Sequence, residues 1–141
     1  MISRIQGLLI ELADNVALVE AAGVGYEVEL TTTAMTRLPE PGGSVVLYTH
    51  HVVREDAQLL FGFASRDERE LFRALIRISG VGPKVALNVI SSVSLRALAD
   101  AVGSRDVSLL TKVPGVGKKT AERLLIELKD QLGVIPITEA T

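Results

Sequence analysis

Cysteine and tryptophan are absent from the sequence, and its only two histidines, His50 and His51, are adjacent. Without cysteine the chain has no disulfide framework, no thiolate zinc site and no cysteine nucleophile. Adjacent residues of a β-strand point to opposite faces, so the two histidines would not share one metal ion there. We therefore expect neither a metal site nor a cofactor.

Long uncharged runs are also missing. The longest, residues 41–53, is too short and too interrupted by glycine to span a bilayer. The first residues include Arg4 and Glu11 and lack the apolar core of a signal peptide. We expect a cytoplasmic protein with no membrane partner.

The chain has 141 residues, 48% of them hydrophobic, which is enough for one ordinary domain or two small ones. Its charge is unevenly distributed. Residues 1–64 carry three basic and eight acidic residues, a net charge of −5, whereas the remainder carries twelve basic and nine acidic residues, a net charge of +3. This asymmetry suggests two units, of which the second meets a polyanion.

Residues 1–64 show short apolar runs separated by turn residues, a pattern typical of a small all-β barrel or sandwich. Strict alternation of apolar Val28 and Leu30 with Glu27 and Glu29 indicates a half-buried strand. The pattern predicts one short helical turn over residues 33–38 and five strands, over residues 5–12, 16–21, 23–30, 45–53 and 57–63. This set fits an OB-type barrel, although the strand count alone does not separate it from other small barrels.

At Ser65 the hydrophobic period changes from two to about 3.6, and Ser65 with Glu68 forms a capping-box signal for a helix start. The pattern up to Leu132 predicts short helices, interrupted at residues 80–82, 91–94, 103–104 and 114–117. The fold class is therefore α+β. We expect a barrel domain over 1–64, an all-α domain over 65–133 and the start of a flexible linker over 134–141.

The helical region contains an internal repeat. Residues 78–86 (ISGVGPKVA) are matched 35 residues later by residues 113–121 (VPGVGKKTA), with Gly, Val, Gly, Lys and Ala identical in register. This is the pattern of a helix-hairpin-helix motif, in which glycines let the backbone turn tightly and approach a ligand. The free N–H groups at the start of the second helix can then bind a phosphate, which reads the nucleic-acid backbone and not the bases.

The two copies supply the candidate DNA-binding residues. Lysines in the first turn of a helix are disfavoured by its dipole, and a bound phosphate would reverse that effect. Arg123 lies one turn further along and extends the patch in one interpretation, or is an ordinary solvated arginine near Glu122 and Glu127 in another. The predicted backbone-binding residues are Gly80, Val81, Gly82, Lys84, Gly115, Val116, Gly117, Lys118, Lys119 and Arg123.

Two other glycine-rich motifs do not fit. A dinucleotide-binding fingerprint needs a third glycine, where this chain has Val85 and Thr120. A Walker loop needs glycine and Ser or Thr at the positions of Lys112 and Lys119. A lone G-x-G between helices is usually only a turn, so the duplication carries the prediction. The chain has only five aromatic residues, which favours duplex binding over stacking of single strands.

Taken together, these motifs resemble the RuvA family of Holliday-junction-binding subunits. The resemblance covers nearly the whole chain, and besides both hairpins it rests on residues 23–28 (GVGYEV), 51–63 (HVVREDAQLLFGF) and 118–125 (KKTAERLL). It implies an OB-fold domain that forms a tetramer core and a second domain whose paired motifs grip the arms of a four-way DNA junction. It also implies a bacterial, nucleoid-associated protein of recombination, DNA repair and the SOS response.

The resemblance gives a role to the turn at residues 54–56. In the family this hairpin is an acidic pin at the centre of the junction, and the matching carboxylates here are Glu55 and Asp56. Taken alone, they would be interpreted as ordinary residues of an exposed turn.

The resemblance also implies partners. These are a homotetramer or an octamer on DNA, the RuvB motor that hydrolyses ATP, and the RuvC resolvase. Family members carry a third, C-terminal domain that contacts RuvB, and this chain stops where its linker would begin. We expect junction binding and tetramer formation, whereas the resemblance leaves recruitment of RuvB open. We expect a non-catalytic subunit. The alternatives are a helix-hairpin-helix DNA-repair enzyme and a protein-interaction module that binds no DNA.

Overall fold

The computed structural model describes residues 1–131, which form five strands and six helices. They belong to two compact units, one spanning Met1–Arg69 and one that begins at Glu70. The linker predicted over residues 134–141 lies outside the described residues.

The first unit is a closed five-stranded barrel. Its strands are β1 (Arg4–Ala13), β2 (Val16–Ala21), β3 (Val24–Leu30), β4 (Ser44–Val53) and β5 (Gln58–Phe63). They close in the order β1-β2-β3-β5-β4, and every neighbouring pair is antiparallel except β3 with β5. A short helix, α1 (Thr32–Thr36), connects β3 to β4. The predicted OB-type barrel is confirmed, with strand ends within one or two residues of those predicted.

Strand β1 is long because it pairs with two neighbours, β4 along its first half and β2 along its second. Its register shifts between Leu9 and Glu11, a bulge that bends the strand around the barrel. The side chains of Ile5 and Leu9 are buried in the barrel core. Those of Leu8 and Ile10 are 45% and 43% exposed and form an apolar stripe on the outer face. Leu12, beyond the bulge, pairs with the core residue Ala17 and therefore lies on the opposite face.

Two tight turns join the first three strands. Ala13 pairs with Val16, so Asp14 and Asn15 form a two-residue hairpin turn. Ala21 pairs with Val24, and the turn between them places Ala22 and Gly23 at φ values of 52° and 84°. The prediction that β3 opens at Gly23 was wrong by one residue, because a left-handed backbone belongs to the turn and not to a strand.

Helix α2 (Arg66–Ile76) starts with the predicted cap, since the Glu68 N–H donates to Ser65 Oγ at 3.2 Å. The Glu68 carboxylate accepts a hydrogen bond from the Thr31 hydroxyl, also at 3.2 Å. Burial raises the pKa of the Glu68 carboxyl above its ordinary value, while hydrogen bonds, chiefly from Thr31, oppose the rise. The sequence pattern did not reveal this buried acid.

The next residue, Arg69, is also buried within the first unit. Its Nη1 donates to the Ser3 carbonyl oxygen at 2.7 Å, and its guanidinium lies 5.5 Å from the centre of the Tyr48 ring. A guanidinium at that distance over an aromatic face is stabilised by the ring quadrupole. The first turn of α2 is therefore tied to the barrel by two adjacent charged side chains.

The second unit contains α3 (Pro83–Ser92), α4 (Leu95–Ser104), α5 (Val107–Thr111) and α6 (Lys118–Gln131), with α6 packed against α4 and α5. The break predicted at residues 91–94 contains the observed one at residues 93–94, whereas the break predicted at residues 103–104 was misplaced. Helix α3 continues through Ser92, and α4 begins after Ser94, whose hydroxyl accepts from the Ala97 N–H at 3.1 Å. Helix α4 continues through Ser104, because the left-handed residue that ends it is Arg105, at a φ of 56°.

Helix α5 begins at a side-chain cap. The Asp106 carboxylate accepts from the Ser108 hydroxyl at 2.7 Å and from the Leu109 N–H at 3.2 Å, and these bonds lower the pKa of Asp106.

No single helix within residues 1–131 is long and apolar enough to cross a membrane. Helices α3 and α4 reach that limit only as a pair bent by 98°, and only by length and composition. The same residues contain no group of three or more His, Cys, Asp or Glu side chains arranged to hold a metal ion.

Candidate nucleic-acid interface

The first hairpin of the repeat connects α2 to α3. Gly80 has a φ of 87°, a left-handed conformation that favours glycine, and the Val81 N–H donates to the Ile78 carbonyl oxygen at 3.0 Å. The side chains of Ile78 and Val81 are 2% and 5% exposed. Buried apolar residues therefore hold the loop on both sides of an exposed glycine.

The second hairpin, between α5 and α6, has the same geometry. Gly115 also has a φ of 87°, and the Val116 N–H donates to the Val113 carbonyl oxygen at 3.1 Å. The side chains of Val113 and Val116 are 3% and 6% exposed. The repeat predicted from the sequence is therefore a repeat of backbone conformation.

Each hairpin leads directly into the first turn of a helix. The first intrahelical bonds run from the Ala86 N–H to the Gly82 carbonyl at 3.0 Å and from the Ala121 N–H to the Gly117 carbonyl at 2.9 Å. The N–H groups before these bonds have no acceptor within their own helix, which makes them available to an anion. Because Pro83 has no N–H, the second hairpin offers one donor more than the first.

The second glycine of each hairpin is the N-cap of the helix that follows, a position that a Ser, Thr, Asp or Asn side chain could also fill. A Cβ built on Gly82 or on Gly117 would meet no atom within 4 Å, and both residues are exposed. Gly82 has a φ of −91°, which any residue can adopt. Neither strain nor crowding explains these glycines, whereas a ligand backbone that approaches the loop closely would.

Basic side chains surround both hairpins. Lys84 and Lys119 occupy the same register of the repeat, and both are exposed, as are Lys118 and Arg123. Arg123 also has a contact that the sequence did not reveal: its Nη1 donates to the carbonyl oxygen of Ser79, in the first hairpin, at 3.0 Å. Such a bond leaves other guanidinium N–H groups for a phosphate.

The acidic neighbour of Arg123 lies on another side of α6. Glu122 lines a groove between α4, α5 and α6 together with Leu125, Ile126 and Lys129. The interpretation of Arg123 as a solvated arginine beside acids is therefore incomplete, because its guanidinium donates to a hairpin carbonyl.

Asn88 is a residue that the sequence analysis missed. Its Nδ2 donates to the carbonyl oxygen of Pro114, in the second hairpin, at 3.1 Å. The signal was present in the repeat, since Asn88 and Arg123 are 35 residues apart and hence in the same register.

The aromatic residues offer no stacking platform. Phe61, Phe63 and Phe72 are at most 3% exposed, and Tyr26 and Tyr48 are half-buried. These are all five aromatic residues of the chain, and all lie within the described part. Binding of single strands on an aromatic surface is therefore disfavoured.

The candidate pin lies at the tip of the β4–β5 hairpin. The Arg54 N–H donates to the Ala57 carbonyl oxygen at 2.8 Å, which leaves Glu55 and Asp56 as the two residues of the turn. Both side chains are exposed. The structure thus presents two adjacent carboxylates to solvent.

Known proteins match both units. Residues 1–62 match the family described as the RuvA N terminal domain, and residues 72–130 match the SAM-like Helix-hairpin-helix tandem. The Holliday junction branch migration complex subunit RuvA of Methylibium petroleiphilum is 54% identical over 133 residues, which cover 94% of this chain and 69% of that protein. The chain belongs to the RuvA family.

Other RuvA proteins give the same result. The subunit from Laribacter hongkongensis is 56% identical over 136 residues, 96% of this chain and 67% of that protein. The subunit from Marinobacter nauticus is 53% identical over 133 residues, 94% of this chain and 64% of that protein. The resemblance to RuvA is confirmed, and the chain spans about 64% of the length of the Marinobacter relative.

Proposed function

We propose that this chain binds four-way (Holliday) DNA junctions by structure and not by sequence, as a non-catalytic subunit of a branch-migration complex in recombination and repair. The observation that carries the proposal is the pair of matching hairpins, each with an exposed glycine that nothing inside the protein requires. Hairpin amides and nearby lysines form a site for DNA phosphates. ATP hydrolysis belongs to the RuvB partner, and RuvC acts on the same junction.

The two parts of the chain divide this work. Residues 1–64 form the barrel domain that assembles four copies, and the helical domain that follows from residue 65 binds DNA. The exposed stripe of Leu8 and Ile10 supports the assembly, since exposed apolar surface often marks a subunit contact. Two such tetramers facing each other would enclose a junction as an octamer.

The acidic turn supplies the selectivity for junctions. Four copies would bring eight carboxylates, from Glu55 and Asp56, to the centre of the assembly. A carboxylate about 6 Å from a phosphate is repelled by on the order of 1 kcal/mol in water and by about 3 kcal/mol at an effective dielectric of about 20. Such repulsion disfavours a continuous duplex at the centre and keeps the strands of a crossover apart.

The test is a salt titration of DNA binding with two matched lysine variants. Lys119→Ala, like Lys118→Ala, should weaken binding to any DNA sequence and lower the slope of log affinity against log salt by about 1. Lys129→Ala removes the same charge from the same helix, but Lys129 lines the groove beside Glu122. It should change the slope less.

Equal slopes for the Lys119 and Lys129 variants would contradict a localised phosphate site. Competition by plain duplex measures junction selectivity, and binding that is insensitive to salt would instead favour a protein-interaction module. Incubation with Mg²⁺ and a labelled junction tests the repair-enzyme alternative, because cleavage would show a catalytic activity that the proposal excludes.

A further inference from the structure

The two motifs of the second unit exchange hydrogen bonds crosswise. Asn88 of α3 donates to Pro114 in the second hairpin, and Arg123 of α6 donates to Ser79 in the first. Donors and acceptors both lie 35 residues apart. Each motif therefore supplies, from the same position of its second helix, the donor for the same carbonyl of the other motif.

The glycines that turn each hairpin lie against the same crosswise contacts. A Cβ built on Gly115 would lie 3.5 Å from Val85 Cγ2 and 3.9 Å from Asn88 Nδ2. A Cβ built on Gly80 would lie 3.8 Å from Arg123 Nη1. Each hairpin thus rests on the second helix of the opposite motif.

These bonds fix the direction of a backbone N–H. The carbonyl of Ser79 and the N–H of Gly80 belong to one planar peptide unit, in which the two groups of a trans peptide point in opposite directions. The same holds for Pro114 and Gly115. A donor that holds the carbonyl therefore also orients the N–H of the turning glycine and keeps the carbonyl dipole occupied.

We propose that Asn88 and Arg123 are positioning residues that act crosswise, each holding the hairpin of the other motif in the orientation that receives a DNA phosphate. The proposal rests on the DNA-binding function proposed above. Asn88 is neutral, so its effect on binding cannot come from its own charge. A variant of Asn88 therefore tests the positioning of the hairpin without changing the charge of the site.

Crossed double-mutant cycles test the proposal. Lys84→Ala and Lys119→Ala remove the matching lysine from the first and second hairpin, respectively. Asn88→Ala should weaken binding to duplex DNA by about 5-fold, the equivalent of one hydrogen bond. Its effect should be less than additive with Lys119→Ala and additive with Lys84→Ala.

The expected coupling of Asn88 to Lys119 is the opposite of the coupling that proximity in the sequence would give. Asn88 lies four residues after Lys84 on the same helix, so a local disturbance of α3 would couple Asn88→Ala to Lys84→Ala instead. Arg123→Lys keeps the charge and should couple to Lys84→Ala. Ser92→Ala, at the exposed end of α3, is the control and should bind like the wild type.

A measurement without DNA tests the contact itself. In ¹H–¹⁵N spectra, Asn88→Ala should shift the amide signals of Gly115 and Val116, and Asn88→Leu, which keeps the side-chain volume, should do the same. Chemical-shift changes confined to α3, or a coupling of Asn88→Ala to Lys84→Ala in place of Lys119→Ala, would overturn the crosswise proposal. Neither result would affect the proposed function. A wild-type protein that binds no DNA would overturn the proposed function and this inference with it.

Discussion

The four hairpin glycines are of two kinds, and substitution should separate them. Gly80→Ala and Gly115→Ala place a Cβ on a left-handed backbone, which should lower the free energy of unfolding by about 1–2 kcal/mol. Gly82→Ala and Gly117→Ala meet no atom of the protein, but both residues are helix N-caps, where alanine is poorer than glycine. This loss offsets the entropic gain of about 0.5 kcal/mol, so stability should stay nearly unchanged. The second pair should nevertheless weaken DNA binding.

Urea unfolding and fluorescence anisotropy measure the two effects. Wild-type affinity in Gly117→Ala would mean that no ligand backbone approaches that glycine closely. We expect the Gly80 and Gly115 variants to lose stability and the Gly82 and Gly117 variants to lose DNA binding. This result would show that the first glycine of each hairpin is needed for folding and the second for binding.

Glu68 should make stability depend on pH. Burial raises the pKa of Glu68, so the folded chain holds its proton more tightly than the unfolded chain does. This contribution to stability is present below the ordinary carboxyl value of 4.5 and is lost as the pH rises through the folded pKa. Glu68→Gln removes the titration and should therefore gain in melting temperature relative to the wild type as the pH rises through that window.

Thermal melts of both proteins between about pH 4 and pH 7 check this expectation. Glu70→Gln makes the same change two residues on, at a half-buried position, and corrects for the loss of one carboxylate from α2. A melting difference between wild type and Glu68→Gln that does not vary with pH would contradict the shift.

Individual side chains show where sequence reasoning ends. The left-handed Gly80 and Gly115 were predictable, because a duplicated G-x-G between helices requires a tight turn. The partners of Glu68 and Asn88 were not, because each contact joins residues 26 or more positions apart and depends on how the elements pack. The hydrophobic period of a segment and the spacing of its motif residues carry no information about such contacts.

Strand β1 presents the clearest candidate for a subunit contact. Ile10 belongs to its outer apolar stripe and is 43% exposed, so a charge there should leave the barrel folded. Ile10→Asp should convert the proposed tetramer into smaller species, since a carboxylate buried in an apolar interface lacks a partner. Sedimentation velocity measures the change.

Val24→Asp is the matched control, with the same kind of change at an exposed apolar residue of β3, 51% exposed. If both variants sediment like the wild type, the stripe is not the contact. A smaller species for Ile10→Asp alone would support it.

The helices and strands were predicted better than their ends. Alternation fixed the faces of β3, and a change of period marked the start of α2. The ends at Gly23 and Ser104 were misjudged because Ala22 and Arg105 adopt left-handed conformations that their residue types disfavour. The tight turn closed by the pairing of Ala21 with Val24 holds Ala22 there, and the C-cap bond from the Arg105 N–H to the Ala101 carbonyl holds Arg105.

The junction selectivity of the whole assembly should depend on the acidic turn. Replacing Glu55 by Gln and Asp56 by Asn together removes two negative charges per chain at exposed positions, where the fold should tolerate the change. Without their repulsion, binding to ordinary duplex should tighten and the preference for a four-way junction should fall. Competition between the two DNA forms measures this ratio.

Unchanged selectivity in that double variant would show that the pin does not act in this chain. Neutralising Glu40, an exposed acid in the loop before β4, serves as the control for a general loss of negative charge.

The order of the strands around the barrel could not be derived from the chain. Five strands and a helix were predictable, but the closure of β3 on β5 joins segments that are separated by α1 and β4. Periodicity specifies which face of a strand is buried and not which strand lies beside it.

That closure has a mechanical consequence. Only two residue pairs, Glu29 with Phe61 and Leu30 with Gly62, join β3 to β5, whereas each other pair of neighbours has five or six. A closed barrel opens first between the two strands that are joined by the fewest hydrogen bonds. Thermal opening of the barrel should thus begin between β3 and β5, while β1 stays paired with β2 and β4.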